Sequence, residues 1–132
     1  IPVMQAAFPE AMCVTDQGKK VLSRLPQLDV YHAIGIGPGL GMHKKTAKLL
    51  QQLLAEANEK PVVIDADALN LLAANPDWLQ KLPKNTVLTP HPKEFERLAG
   101  KSANDYERLA NLQQFAKRTG AVVVLKGAHS AV

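Results

Sequence analysis

The chain has 132 residues, 46% hydrophobic and 21% charged, a composition that excludes a disordered chain, a collagen-like chain and a coiled coil. Sixteen basic residues against twelve acidic ones give a formal charge of +4, but the charges are scattered and aromatics are only 5%, which argues against a nucleic-acid surface and suits small anionic ligands. Cys13 is a lone cysteine, so there is no internal disulfide and no multi-cysteine zinc site. The length predicts a single domain over 1–132. Apolar runs such as Ala121–Leu125 are far too short to span a bilayer.

In chain order, Met12–Val14 reads as a short strand and Lys19–Leu25 as a short helix. Val30–Ile36 reads as a strand that turns through Leu40–Met42 into a helix over Thr46–Ala57. There Ala47, Leu50, Leu53, Leu54 and Ala57 recur at intervals of three and four. Pro61–Ile64 suits a buried strand, and Ala68–Ala74 a helix that stops before Pro76. Asp77–Leu82 adds a turn. Thr86–Thr89 is the next strand and Pro92–Ala99 the next helix, closed by Gly100. Ser102 or Asn104 caps a longer helix with Tyr106, Leu109, Ala110, Leu112 and Ala116 as its inner stripe, and Gly120 ends it. Ala121–Leu125, with three consecutive valines, is the last strand. Such alternation predicts an α/β fold: an open, mainly parallel sheet with helices on both faces.

In open parallel sheets ligands bind beyond the carboxyl ends of the strands. The segments there are 35–41, 65–70, 89–94 and 126–130. Gly37, Gly39 and Gly41 fit neither a Rossmann fingerprint nor a P-loop. They read either as a loop that lets backbone approach an anion at a helix start, or as a tight turn needing positive φ. Asp65 and Asp67 could hold a hydrated cation or a substrate hydroxyl. Equally, Asp67 is a good N-cap for Ala68–Ala74 and Asp65 could satisfy loop amides. His91 and Pro92 read as a helix start with Glu94 in the first turn, although histidine is a poorer cap than Ser, Asp or Asn, which leaves a ligand contact open. Lys126 and Gly127 can either meet a phosphate or close a strand. No close cluster of metal-ligating side chains is visible.

Together Pro9-Glu10-Ala11-Met12, Gly37-Pro38-Gly39-Leu40-Gly41, Asp65-Ala66-Asp67-Ala68-Leu69, Thr89-Pro90-His91-Pro92-x-Glu94 and Leu125-Lys126-Gly127 resemble, in order and spacing, the ADP/ATP-dependent NAD(P)H-hydrate dehydratases of the ribokinase-like superfamily. The resemblance covers nearly the whole chain. It implies a repair lyase in which ADP or ATP, with Mg²⁺, phosphorylates the hydroxyl added to NADH or NADPH, after which phosphate leaves. By motif match Gly37, Gly39, Gly41, Asp65, Asp67, His91 and Glu94 fall on the hydrated-dinucleotide side, and Lys126, Gly127, Ala128, His129 and Ser130 on the adenine-nucleotide side. Lys93 stands where the family commonly has glycine, and Ser130 where it has threonine.

The family's Gly-Thr-Gly-Asp segment, whose Asp serves as base, has no counterpart here. The resemblance implies that this Asp lies beyond Val132, so no catalytic residue is assigned within the chain. The expectation is a partial domain, cut at both ends, prone to self-association and inactive alone. The resemblance further implies a cytoplasmic protein, homo-oligomeric when intact, sometimes fused behind an epimerase domain. Two rival readings are a ribokinase-like kinase acting on a vitamin precursor and a non-catalytic module that binds adenine nucleotide.

Overall fold

A computed structural model describes residues 2–16 and 20–132. Four strands, β1 (Ile34–Ile36), β2 (Val62–Ile64), β3 (Thr86–Leu88) and β4 (Val122–Val123), form one sheet in the order β1-β2-β3-β4. All three pairings are parallel. The helices are α1 (Pro2–Ala7), α2 (Lys44–Glu56), α3 (Ala66–Ala74), α4 (Pro92–Ala99) and α5 (Asp105–Thr119). A 3₁₀ turn at Pro76–Lys81 follows α3, where proline cannot continue the helix. The parallel α/β architecture is that expected from the sequence.

Register explains which face is buried. In-register parallel strands put partnered residues on the same side, and Gly35, Val63, Val87 and Val122 form one row across all four strands. In that row Val63 is 40% and Val122 49% exposed. Val62, Ile64, Thr86, Leu88 and Val123, which point the other way, are buried. Topology supplies the reason. When the strand order is the chain order, every right-handed crossover advances in the same direction and its helix lands on the same face. Helix coverage of both faces is therefore not seen among the described residues; α2 to α5 line one.

The covered face is the core. Leu50, Leu53 and Leu54 of α2, Leu69 and Leu72 of α3, Phe95 of α4 and Phe115 of α5 pack onto Val62, Ile64 and Leu88. Phe95 and Phe115 meet edge-to-face, with centroids 5.7 Å apart. Two buried threonines bond locally: the Thr46 hydroxyl donates to the His43 carbonyl at 2.6 Å, and that of Thr86 to Pro83 at 2.6 Å.

Several expected boundaries move. Leu28–Val30 is a 3₁₀ turn, so the first strand starts at Ile34 rather than Val30. The last strand has only two ladder residues; Leu125 instead makes an antiparallel bridge to Ala131. Met12–Val14 forms no strand and Lys20–Leu25 no helix, while Lys19 lies outside the described residues. On α5 the buried stripe is Leu112 and Phe115. Tyr106 is 88% exposed and Leu109 44%, so the core-facing stripe starts later than predicted.

Candidate functional site

The glycine loop after β1 is shaped by close approach. Gly37 has φ +143°, and a Cβ there would stand 1.8 Å from the Asp65 carbonyl oxygen, so only glycine lets this loop lie on the end of β2. The loop turns through a Leu40 N–H bond to the Gly37 carbonyl. It ends where Gly41, at φ +74°, donates its N–H to Asp67 Oδ2 at 2.8 Å. Asp67 therefore clamps the glycine loop, and the predicted N-cap role passes to Asp65. Asp65 Oδ1 accepts from the Ala66 N–H at 2.9 Å and α3 begins earlier than predicted, with Ala66 in the left-handed region at φ +47°.

The same Asp65 oxygen also accepts from Lys126 Nζ at 2.7 Å. This pair joins the ends of β2 and β4 across the end of β3. Partial burial pushes the Asp65 carboxyl up, but hydrogen bonds from Lys126, the Ala66 N–H and Thr89, with the Lys126 charge, outweigh it and hold the pKa below the ordinary carboxylate value. Lys126 is further anchored by its own N–H, which donates to the Pro90 carbonyl at 2.8 Å.

His91 starts α4 as the sequence predicts, and the structure shows how an imidazole does this. Nδ1 accepts from the N–H groups of Lys93 and Glu94 at 3.2 and 3.4 Å, while Glu94 Oε2 accepts from the His91 N–H at 2.9 Å, closing a capping box. Nδ1 is thereby an acceptor and the ring proton sits on Nε2, 3.4 Å from Glu94 Oε1. Glu94 is buried; the His91 side chain is 46% exposed. Lys93, where glycine is common in the family, fits an ordinary first-turn helical position.

After β4, Leu125 and Ala131 exchange two backbone hydrogen bonds and pinch residues 126–130 into a closed loop. Gly127, Ala128, His129 and Ser130 are exposed on it. The loop forms one wall of a pocket of about 560 Å³ whose other wall is the first turn of α5. Val132 is 85% exposed. It stands away from that pocket, against an apolar hollow bordered by Leu112, Ala116 and Val122, and an isopropyl group there supplies neither donor nor acceptor to the site. Among the described residues no three His, Cys, Asp or Glu side chains are arranged to hold a metal ion. Three strand-end carboxylates are committed elsewhere: Asp65 to Lys126, Asp67 to Gly41 and Glu94 to His91.

A family model described as NAD(P)H-hydrate dehydratase matches residues 1–132. The chain belongs to the NAD(P)H-hydrate dehydratase family. It is 48% identical over 99 residues to a bifunctional NAD(P)H-hydrate repair enzyme of Escherichia coli, covering 74% of this chain and 18% of that one. It is 37% identical over 126 residues to an ADP-dependent (S)-NAD(P)H-hydrate dehydratase of Neisseria meningitidis, covering 92% of this chain and 40% of that one. A solved ADP/ATP-dependent NAD(P)H-hydrate dehydratase of Bacillus subtilis, co-crystallised with ATP/Mg²⁺ and soaked with CoA, superposes with a TM-score of 0.71. It is 30% identical, and the match covers 98% of this chain and 46% of that one. The chain thus spans less than half the length of each of these relatives.

In this member of the dehydratase family, the structure links the glycine loop to Asp65 and Asp67, and Asp65 to Lys126. His91 and Glu94 bond to each other at the neighbouring strand end. Sequence reasoning does not single out Thr89, whose hydroxyl donates to the Ile64 carbonyl at 3.4 Å and helps lower the Asp65 pKa, although the side chain sits in the quoted Thr89–Glu94 motif. It also passes over Arg108 and Asp105, which line the pocket beside the 126–130 loop.

Proposed function

We propose that this chain contributes to repair of hydrated NADH and NADPH, as part of an ADP- or ATP-dependent dehydratase. The observation that most supports this is the strand-end platform, in which the glycine loop, Asp65 and Lys126 are tied together within a chain matched along its length by the family model. In the reaction the added hydroxyl oxygen attacks the terminal phosphorus of the nucleotide, whose shortened form leaves. The carbon–oxygen bond of the new phosphate ester then breaks as a proton is lost from the adjacent ring carbon, and the double bond returns. Phosphate leaves far more readily than hydroxide, and the protein's share is positioning and charge stabilisation.

On this reading Gly37, Gly39, Gly41, Asp65, Asp67, His91 and Glu94 shape the dinucleotide side. The His91 Nε2–H, which faces Glu94 Oε1 at 3.4 Å, is the ring's remaining donor. Lys126, Gly127, Ala128, His129 and Ser130 form the adenine-nucleotide side, with the Lys126 ammonium meeting phosphate. No residue of this chain is assigned to take the hydroxyl proton. The described residues do not make a Mg²⁺ cradle, so Mg²⁺ belongs with the nucleotide phosphates and no step is assigned through it. Soluble cofactors as substrates fit a cytoplasmic reaction. A homo-oligomeric parent, with or without a fused epimerase domain, belongs to the same proposal.

The test is an ADP- and Mg²⁺-dependent assay on the longest chain that carries this sequence, with hydrated NADH as substrate and return of dihydronicotinamide absorbance as signal. Turnover is the expected result. A folded protein that binds ADP but never restores NADH would overturn the reading, and phosphorylation of a hydroxymethylpyrimidine or thiazole alcohol instead would establish the vitamin-precursor kinase.

A further inference from the structure

Arg108 sits in the first turn of α5. Its Nη1 pairs with Asp105 one turn earlier, whose side chain is 86% exposed. Its Nε is buried and has no hydrogen-bond partner, alone among the buried side-chain nitrogen and oxygen atoms of the described residues. A buried guanidinium N–H left unmet carries its full desolvation penalty, so the resting placement of this side chain is poorly satisfied. Arg108 also lines the pocket against the post-β4 loop, together with Asp105, Lys126, Gly127, His129 and Ser130. Two basic side chains therefore border one cavity. Each rests on a carboxylate that lies partly or largely in solvent, Lys126 on Asp65 and Arg108 on Asp105.

We propose that Arg108 is a phosphate-binding residue of this pocket, leaving Asp105 to take a phosphoryl group of the adenine nucleotide alongside Lys126. The inference rests on the functional reading above and adds to it a residue that the strand-end motifs do not contain. The chemistry favours the exchange. An exposed ion pair three residues apart on a helix is weak. A phosphate offers two oxygens to a guanidinium edge, and Arg–phosphate contacts of that kind are bidentate and charge-assisted. With Nη1 turned to Asp105, the edge that includes Nε is the one without a partner. Asp105 then acts as a placeholder: it holds the guanidinium at the pocket wall when no nucleotide is bound and competes with phosphate when one is.

Calorimetric titration of ADP, AMP and adenosine into the longest chain carrying this sequence tests the assignment, using wild type, Arg108→Ala, Arg108→Lys and Asp105→Asn. We expect R108A to weaken ADP binding about tenfold and leave adenosine binding unchanged, with R108K recovering part of the loss. D105N should tighten ADP binding about two- to fivefold, because the competitor is removed. Equal weakening for adenosine and ADP would make Arg108 a structural residue and overturn the proposal. So would ADP affinity unchanged in R108A. If R108A does not fold, D105N without tightening together with R108K without weakening overturns it. Wild type that binds no adenine nucleotide would overturn the functional reading and this inference together, whereas wild-type binding with an indifferent Arg108 removes this inference alone.

Discussion

Asp65 and Lys126 are 61 positions apart in the chain, yet one carboxylate oxygen and the ammonium nitrogen lie 2.7 Å from each other. The contact spans the outer ends of two strands that do not pair, since β3 runs between them. It holds a cationic side chain in place at the strand ends.

Asp65 has two duties, and Asp65→Asn separates them. Asparagine caps as well as aspartate, so D65N keeps α3 and loses only the charge. Both side chains are about a third or more exposed, at 32% for Asp65 and 43% for Lys126. The pair is then worth less than about 1 kcal/mol, and D65A, which also loses the cap, should cost about 1 kcal/mol more in urea unfolding. The sign with pH follows from the lowered pKa. The stabilisation is fully present above the unfolded carboxylate value, about 3.9, and is lost as pH falls through the folded value. Acid unfolding of D65N should therefore show a shallower limb below about pH 4 than wild type. An identical acid limb would remove Asp65 from the account.

Gly37 and Gly39 both have positive φ but differ in surroundings: a Cβ at Gly37 collides with Asp65 backbone, and one at Gly39 meets nothing within 4 Å. Gly39→Ala should cost roughly 1–2 kcal/mol, the left-handed penalty alone. Gly37→Ala should cost distinctly more, or lift the glycine loop off β2. Equal unfolding midpoints for the two variants would contradict the close approach.

His91 can be split in the same way. His91→Asn keeps an acceptor for the α4 amides and removes the Nε2–H donor, whereas His91→Ala loses both. H91A should lose about 1 kcal/mol of stability and H91N much less. If the imidazole serves substrate, H91N raises KM for hydrated NADH despite its normal stability. Wild-type KM in H91N would assign His91 to capping alone.

Phe95 is fully buried and packs on Phe115, while Tyr106 is 88% exposed. Phe95→Ala should cost about 3–5 kcal/mol by urea titration, and Tyr106→Ala less than about 0.5 kcal/mol. A comparable loss at Tyr106 would mean that the predicted stripe of α5 is covered after all.

What is legible in the sequence is what is local. The α4 start follows from His91, Pro92 and Glu94 within four positions, and its end from Gly100. Helix α2 follows from the spacing of Leu50, Leu53 and Leu54. The site segments stand out because all of them follow strands. Sequence and structure part where one residue or a distant partner decides. Asp65 caps α3 in place of Asp67 because Ala66 takes a left-handed backbone, which alanine does not signal. Periodicity puts the inner stripe of α5 at Tyr106 and Leu109 because it shows a stripe without showing which part of it meets the sheet. The ion pair of Asp65 with Lys126, and the placing of the helices on one face, both depend on strand order, which no local pattern encodes.

That strand order bears on how the chain assembles. Each βα unit docks beside the unit made just before it, so most contacts close over one crossover and the structure can grow from either end without threading. The Asp65–Lys126 bridge is the exception: it skips a unit and can form only after β2, β3 and β4 are side by side. A probe that senses this pair, such as the effect of Asp65→Asn on folding and unfolding rates, would report a late event in folding, after the sheet has already registered.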